Sequence, residues 1–200
     1  MARVSSLVTG VTIVPAIVYY NGERIAVDRV RLRHVAEDDL AVPDDASGRA
    51  FAQLLDGSLL RVLPSTDFTT LLWRKLLINA VANPITALTR QRQGVLRRND
   101  IRALCLAILD EAITVARADG ARLTDDEAEL TLSTLLTYPA DAGTSMYFDC
   151  LAGRTLEIEA LTGAVVAAGE RHAIDTPLNR AFLTLLRAIS DAAKNGGDRP

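Results

Sequence analysis

The chain has only two cysteines in its 200 residues, Cys105 and Cys150, too few for a disulfide framework. Both stand in apolar, helix-patterned sequence and read as buried free thiols, which makes a reducing compartment, the cytoplasm, the expected location. No one sign of charge dominates: 22 basic and 25 acidic residues leave a formal net charge of -3. The basic residues form no long cluster, so a nucleic-acid-binding surface is not expected. No uninterrupted apolar stretch reaches the roughly 20 residues that a membrane-spanning helix needs. The opening run MARVSSLVTGVTIVPAIVYY is built from Val, Thr, Ile and Tyr, with Gly10 and Pro15 inside it. That is a β pattern rather than the compact apolar stretch of a secretion signal. Internal repeats and low-complexity tracts are also missing. What the chain has in quantity is apolar sequence, 49% of it, ample for one substantial domain or two small ones.

Two kinds of patterning divide it. VTIVPAIVYY and RIAVDRVRLRHV read as an antiparallel pair of strands with a hairpin at Asn21-Gly22. SGRAFAQLLDG has helical spacing at Ala50, Phe51, Leu54 and Leu55 and stops at Gly57, and SLLRVLPS is a short strand. From Asp67 onward long helical periodicity takes over. The spacing predicts helices in DFTTLLWRKLLINAVAN, RRNDIRALCLAILDEAITVARADG, TDDEAELTLSTLLTYP with a capping signal from Thr124 to Glu127, SMYFDCLAGR, TLEIEALTGAVVAAGERHA, and TPLNRAFLTLLRAISDAA with Pro177 at a first helical position. The expected organisation is an α/β segment over residues 1–66, a helical domain over 67–193 and a disordered tail over 194–200. Pro84 is expected to place Asn83 at a helix end or kink.

Within LLWRKLLINAVANP, the helical repeat puts Lys75, Asn79 and Asn83 four residues apart, in one column along an otherwise apolar helix. Burying an ammonium and two amides is unfavourable unless something pairs with them, at roughly 1–3 kcal/mol for an unpaired amide. Either Lys75 snorkels to solvent and the amides bond to loop carbonyls, or the column is one wall of a binding site. A second polar cluster lies in TSMYFDCLAGRTLEIEALTGAV. There Ser145 opens a helix whose first N–H groups suit an anion such as a carboxylate. Glu157 reads as lying in the first turn of the next helix, where the dipole favours it. Asp149 and Arg154 read as a surface pair.

LWRKLLINAVANPITAL, then TSMYFDCLAGRTLEIEALTGAVV some sixty residues later, then HAIDTPLNRAFLTLL, together resemble the C-terminal half of the ketopantoate reductase (2-dehydropantoate 2-reductase) family. The preceding α/β segment is similar to the tail of that family's nucleotide-binding domain. The resemblance implies an α+β fold, a partial Rossmann remnant followed by an all-helical domain like the C-terminal domain of 6-phosphogluconate dehydrogenase. It implies NADPH-dependent reduction of ketopantoate, or a related 2-keto acid, to the 2-hydroxy acid pantoate. It also implies roles: Lys75 and Glu157 catalytic, Asn79, Asn83 and Ser145 substrate-binding, and no metal. The chemistry suits these types, since an ammonium beside a keto oxygen stabilises the charge that grows there and then supplies a proton.

The family's Rossmann half opens on a Gly-rich phosphate turn, G-x-G-x-x-G, and no such motif occurs among the glycines here. Gly10, Gly22, Gly48 and Gly57 each read as a turn or a helix end, so the cofactor-binding residues are not identified and the chain reads as starting after the mononucleotide-binding half. Two functional classes follow. One is the catalytic portion of a reductase, partnered by self-association or by a separate N-terminal half. The other is a non-catalytic helical binding or dimerisation module. On the first, all five polar side chains are expected to line one cleft, with the Lys75 ammonium within a few ångströms of the Glu157 carboxylate.

Overall fold

The computed structural model of the chain describes residues 7–34 and 36–196. In chain order it contains β1 (Ile17–Val18), β2 (Tyr20–Ala26), β3 (Arg29–His34), β4 (Leu40–Pro43), α1 (Ala46–Leu54), β5 (Val62–Ser65) and α2 (Phe68–Thr89). A 3-10 turn (Gln93–Arg97) follows, then α3 (Asn99–Ala118), α4 (Glu127–Thr137), α5 (Ser145–Leu151), α6 (Thr162–Arg171) and α7 (Pro177–Gly196). The architecture is α+β, strands first and helices after. By internal packing it falls into two compact units, Met1–Leu72 and Trp73–Pro200. The change in sequence pattern at 66–67 marks the start of α2, and the unit boundary lies inside that helix.

In the first unit β4 is central. It pairs antiparallel with β1, Ile17 opposite Ala41, and parallel with β5, Leu40 opposite Val62. A parallel pair needs a crossover, and α1 provides it. Asp45 caps α1 by accepting a hydrogen bond from the Gly48 N–H at 2.8 Å. Gly48 lets α1 sit close on the end of β4, because a Cβ there would lie 1.9 Å from the Pro43 carbonyl oxygen.

The expected strand pair is corrected in this unit. VTIVPAIVYY does not form one strand: Ile17 and Val18 join β4, and the chain from Tyr20 onward belongs to the separate hairpin β2–β3. Asn21 and Gly22 pair within that hairpin with Arg33 and Leu32, and its turn falls at Val27–Asp28, closed by the pair Ala26–Arg29. Local Asn-Gly turn preference thus yields to the register that pairs two whole strands.

In the second unit, α2 continues through Pro84 for 22 residues, so Asn83 lies in the helix interior and not at an end. The proline removes a single donor, the one that would reach the Ala80 carbonyl. The buried side chains of Leu77, Val81 and Ile85 around it keep the helix in register. At the centre is α3, whose buried Cys105, Ile108, Leu109, Ala112, Ile113 and Ala116 follow the three-and-four spacing of a helix buried along one side. It packs against α4, α6, α7 and the 3-10 turn. Glu111 of α3 accepts from the backbone N–H groups of Leu178 and Asn179 at 2.9 and 3.0 Å, setting a carboxylate at the positive end of α7.

Two further expectations change. The helix predicted to begin at Thr155 starts at Thr162. Residues 154–157 are irregular, and Leu156 and Ile158 are buried while Glu157 between them is exposed, the alternation of extended chain. At the other end α7 runs on to Gly196, so the tail expected from Lys194 is helical over 194–196, while 197–200 lie outside the described residues.

Candidate active site

Helix α2 carries most of the polar groups of interest, and they divide by whether the protein itself engages them. Trp73 donates its Nε1–H to Asp119 Oδ2 at 3.1 Å. The other Asp119 oxygen receives Arg171 Nη2 at 3.1 Å and pairs with His172 Nε2 at 3.0 Å. Burial pushes the Asp119 carboxyl up, but the bonds from His172, Trp73 and Arg171 outweigh it and hold the group below its ordinary value. One residue on, Arg74 grips Glu127 of α4 with both prongs, Nε to Oε1 at 2.8 Å and Nη2 to Oε2 at 3.0 Å. Glu127 also reaches back to the Thr124 N–H and hydroxyl at 3.4 and 3.3 Å, the half of the expected capping signal that forms. Burial raises its carboxyl and the Arg74 bond and charge more than reverse this, so it too lies low.

Lys75 is half-buried, and desolvation pushes its pKa below the usual lysine value. Asn79 is half-buried and Asn83 only 4% exposed. Among the described residues neither asparagine side chain makes a hydrogen bond. An amide left without partners in a buried stretch is costly unless a ligand or solvent meets it.

At the far end of the column Thr86 is fully buried. Its Oγ1 lies 2.7 Å from the Ala82 carbonyl, 3.3 Å from that of Asn83 and 2.8 Å from Thr144 Oγ1. Thr144 caps α5 by accepting from the Tyr147 N–H at 3.1 Å. Ser145 is the first residue of that helix and is exposed. The loop leading into it is fixed by Arg92, which donates to the Asp141 carbonyl at 2.5 Å and lies over the Tyr147 and Phe148 rings. Gly143 is needed there, since a Cβ would come within 2.7 Å of both rings.

One apolar cluster gathers Ala87 of α2, Met146 of α5, and Leu156 and Ile158, with Val166, Leu183 and Leu186. Ser145, Glu157 and Asn83 are each next to, or one helical turn from, a member of this cluster, so the fold brings these three stretches into one neighbourhood. Lys75 stands 12 residues before Ala87, ~18 Å along the helix at 1.5 Å per residue. The Glu157 side chain is exposed and makes no ion pair among the described residues. The direct contact anticipated between Lys75 and Glu157 is therefore not formed. Glu157 projects from irregular chain instead of a helical first turn. Asp149 and Arg154 do pair, at 2.7 Å.

Two concavities are described, and neither includes a column residue. One of about 430 Å³ lies in the first unit and is lined by Thr12, Val14, Ala46, Ser47, Phe51 and Leu54, among others. One of about 250 Å³ lies beside the Arg74–Glu127 pair, against Ile78, Leu130, Thr131 and Thr134. Sequence reasoning missed Thr86 and Thr144. The visible signal was a threonine before the first turn of a predicted helix; its partner 58 residues away carried none. No helix among the described residues is long and apolar enough to cross a membrane.

Residues 67–190 match the family described as "Ketopantoate reductase PanE/ApbA C terminal". The chain is 40% identical over 179 residues to a 2-dehydropantoate 2-reductase of Mycobacterium tuberculosis, covering 90% of this chain and 60% of that protein. It is 31% identical over 178 residues to the enzyme of the same name from Caulobacter vibrioides, covering 89% and 60%. Among solved structures, a dimeric ketopantoate reductase from Staphylococcus aureus superposes with a TM-score of 0.79 at 30% identity, over 89% of this chain and 62% of that one. The chain thus spans about 60% of the length of the curated relatives it matches.

Proposed function

Because the chain belongs to the ketopantoate reductase family, matching its C-terminal part, we propose that it is the substrate-binding and proton-donating portion of an enzyme that reduces ketopantoate, or a related 2-keto acid, to pantoate. The observation that carries this reading is Asn83, a residue only 4% exposed whose side-chain amide makes no hydrogen bond among the described residues yet is not among the atoms sealed from solvent without a partner, in line with Asn79 and the desolvated Lys75. The neighbouring Trp73, Arg74 and Thr86 are all bonded. A helix that pairs its structural polar groups and leaves its aligned amides uncommitted is arranged to receive a polar ligand.

Each group then has a task. As the keto carbon is reduced, charge builds on its oxygen, and the Lys75 ammonium stabilises that charge and delivers a proton. Its lowered pKa makes the proton easier to give up. The amides of Asn79 and Asn83 and the Ser145 hydroxyl orient the carboxylate and hydroxyl of the substrate. Glu157 is exposed here in the neighbourhood of Ser145 and Asn83, and its catalytic role rests on the family resemblance.

NADPH supplies the hydride when bound, by analogy with the family. The described glycines do not fit its phosphate cradle. The place of a side chain at Gly48 is taken by the Pro43 carbonyl, and Gly10 and Gly57 stand singly at positive φ with nothing near. Cofactor binding is therefore not assigned to these residues, and a second copy or a further polypeptide segment is the source proposed for it.

The test is calorimetric titration of ketopantoate into the chain, paired with Lys75→Ala in a complete reductase. The reading expects saturable binding that Asn83→Ala weakens, and a kcat lowered about 10²–10⁴-fold in the lysine variant. No binding, together with near-normal kcat, would make the chain a helical binding or dimerisation module instead.

A further inference from the structure

The hydroxyls of Thr86 and Thr144 join parts of the chain 58 residues apart, and the proposed chemistry uses neither. Their hydrogen-bond direction follows from the ends of the chain of contacts. The Tyr147 N–H can only donate, and it donates to Thr144 Oγ1. The Ala82 carbonyl can only accept, and it lies 2.7 Å from Thr86 Oγ1. Each hydroxyl has one proton. If Thr86 gave its proton to Thr144, two bare oxygens would face each other at 2.7 Å. The order is therefore Tyr147 N–H to Thr144, Thr144 to Thr86, and Thr86 to Ala82, with every proton used once.

Both threonines are buried, at 0% and 9% exposure, so water cannot replace a missing link cheaply. The relay ends one turn from Asn83, whose carbonyl Thr86 also touches at 3.3 Å, and one residue from Ser145. Helix α5 is only seven residues long; its other polar tie to α2, the Cys150 thiol on the Ala87 carbonyl at 3.6 Å, lies at its C-terminal end, so the threonine pair is what ties its Ser145 end to α2. We infer that Thr86 and Thr144 are positioning residues, which lock the Ser145 end of α5 onto the Asn83 end of the polar column and so fix the spacing of two groups that contact the 2-keto acid. This inference rests on the substrate assignment made above. It adds that the assignment depends on two hydroxyls that touch no substrate.

The test is calorimetric titration of ketopantoate into the full 200-residue chain, in wild type, Thr86→Val, Thr86→Ser and Thr144→Ala, with hydrogen exchange of the Tyr147 amide followed in each. Valine keeps the shape of threonine and removes the hydroxyl, while serine keeps the hydroxyl and removes the methyl. Thr86→Val is expected to stay folded, to bind at least about tenfold more weakly and to exchange the Tyr147 amide at least about tenfold faster. Thr86→Ser should restore binding to within about twofold of wild type. Should Thr86→Val not fold, Thr144→Ala carries the same expectation from the other side of the relay. Wild-type affinity in the hydroxyl-less variants would overturn the inference and leave the substrate assignment standing, and so would a Thr86→Ser as weak as Thr86→Val. A wild-type chain that does not bind ketopantoate would overturn both.

Discussion

The indole of Trp73 donates to Asp119 at 3.1 Å, and this bond ties the start of the polar column to the end of α3. Arg171 and His172 close on the same carboxylate from the end of α6, so three helices meet on one side chain. Asp119 has a folded pKa below its ordinary 3.8. A carboxylate depressed on folding contributes stability that is fully present above its unfolded value and is lost as pH falls through the folded one. Urea unfolding of wild type should therefore weaken below about pH 4, and Asp119→Asn should weaken less over the same window. At pH 7 Asp119→Ala should cost about 1–3 kcal/mol, the usual penalty for stranding a buried donor, here the Trp73 indole N–H.

The Arg74–Glu127 pair is a second anchor, with the Glu127 side chain 5% exposed and that of Arg74 45% exposed. Removing the buried partner leaves a guanidinium whose side chain is already 45% exposed, whereas removing the arginine takes the charge partner from a carboxylate that is 5% exposed. Arg74→Ala should therefore destabilise at least as much as Glu127→Ala, about 2–4 kcal/mol. A double-mutant cycle in urea should show the two losses to be far from additive. Additive losses would mean that the pair is not coupled.

Lys75 predicts the opposite sign. Its lowered pKa means that folding opposes its charge. That cost is present below the folded pKa and is relieved as pH rises toward the unfolded value of 10.5. Lys75→Met should remove that pH dependence, so that the difference in melting temperature between wild type and variant shifts in favour of wild type as pH rises through the alkaline range. A difference that does not change with pH would mean that folding does not oppose the charge on Lys75.

Cofactor binding should separate from substrate binding. NADPH titrated into the chain alone should give no saturable signal, since its glycines form no phosphate turn. Ketopantoate should bind under the same conditions. Tight NADPH binding by the isolated chain would show that the phosphates are held in another way.

What could be read from the sequence was what depends on near neighbours. The i, i+4 spacing of Lys75, Asn79 and Asn83 located the column, and Pro177 marked the start of α7. The hairpin turn was misplaced because Asn21-Gly22 is a strong local signal, yet the paired strands place these two residues inside β2. Glu157 was taken for a helical first turn because Leu156 and Ile158 look equally apolar in either geometry. Their burial against Ala87 and Met146 comes from segments distant in sequence, and the chain there is irregular, with the helix starting only at Thr162. The Thr86–Thr144 bond spans 58 residues, and nothing local to either threonine announces it.

The central claim is that the Asn79 and Asn83 amides face a 2-keto acid. The most direct measurement is the proton–nitrogen spectrum of their side-chain NH₂ groups, assigned through Asn79→Ala and Asn83→Ala, during titration with ketopantoate. The account predicts that both pairs of resonances move together along one saturable curve, and that Asn83→Ala weakens that curve about tenfold or more, as loss of a buried hydrogen bond to a charged group requires. Resonances that stay fixed while ketopantoate saturates shifts elsewhere would contradict it.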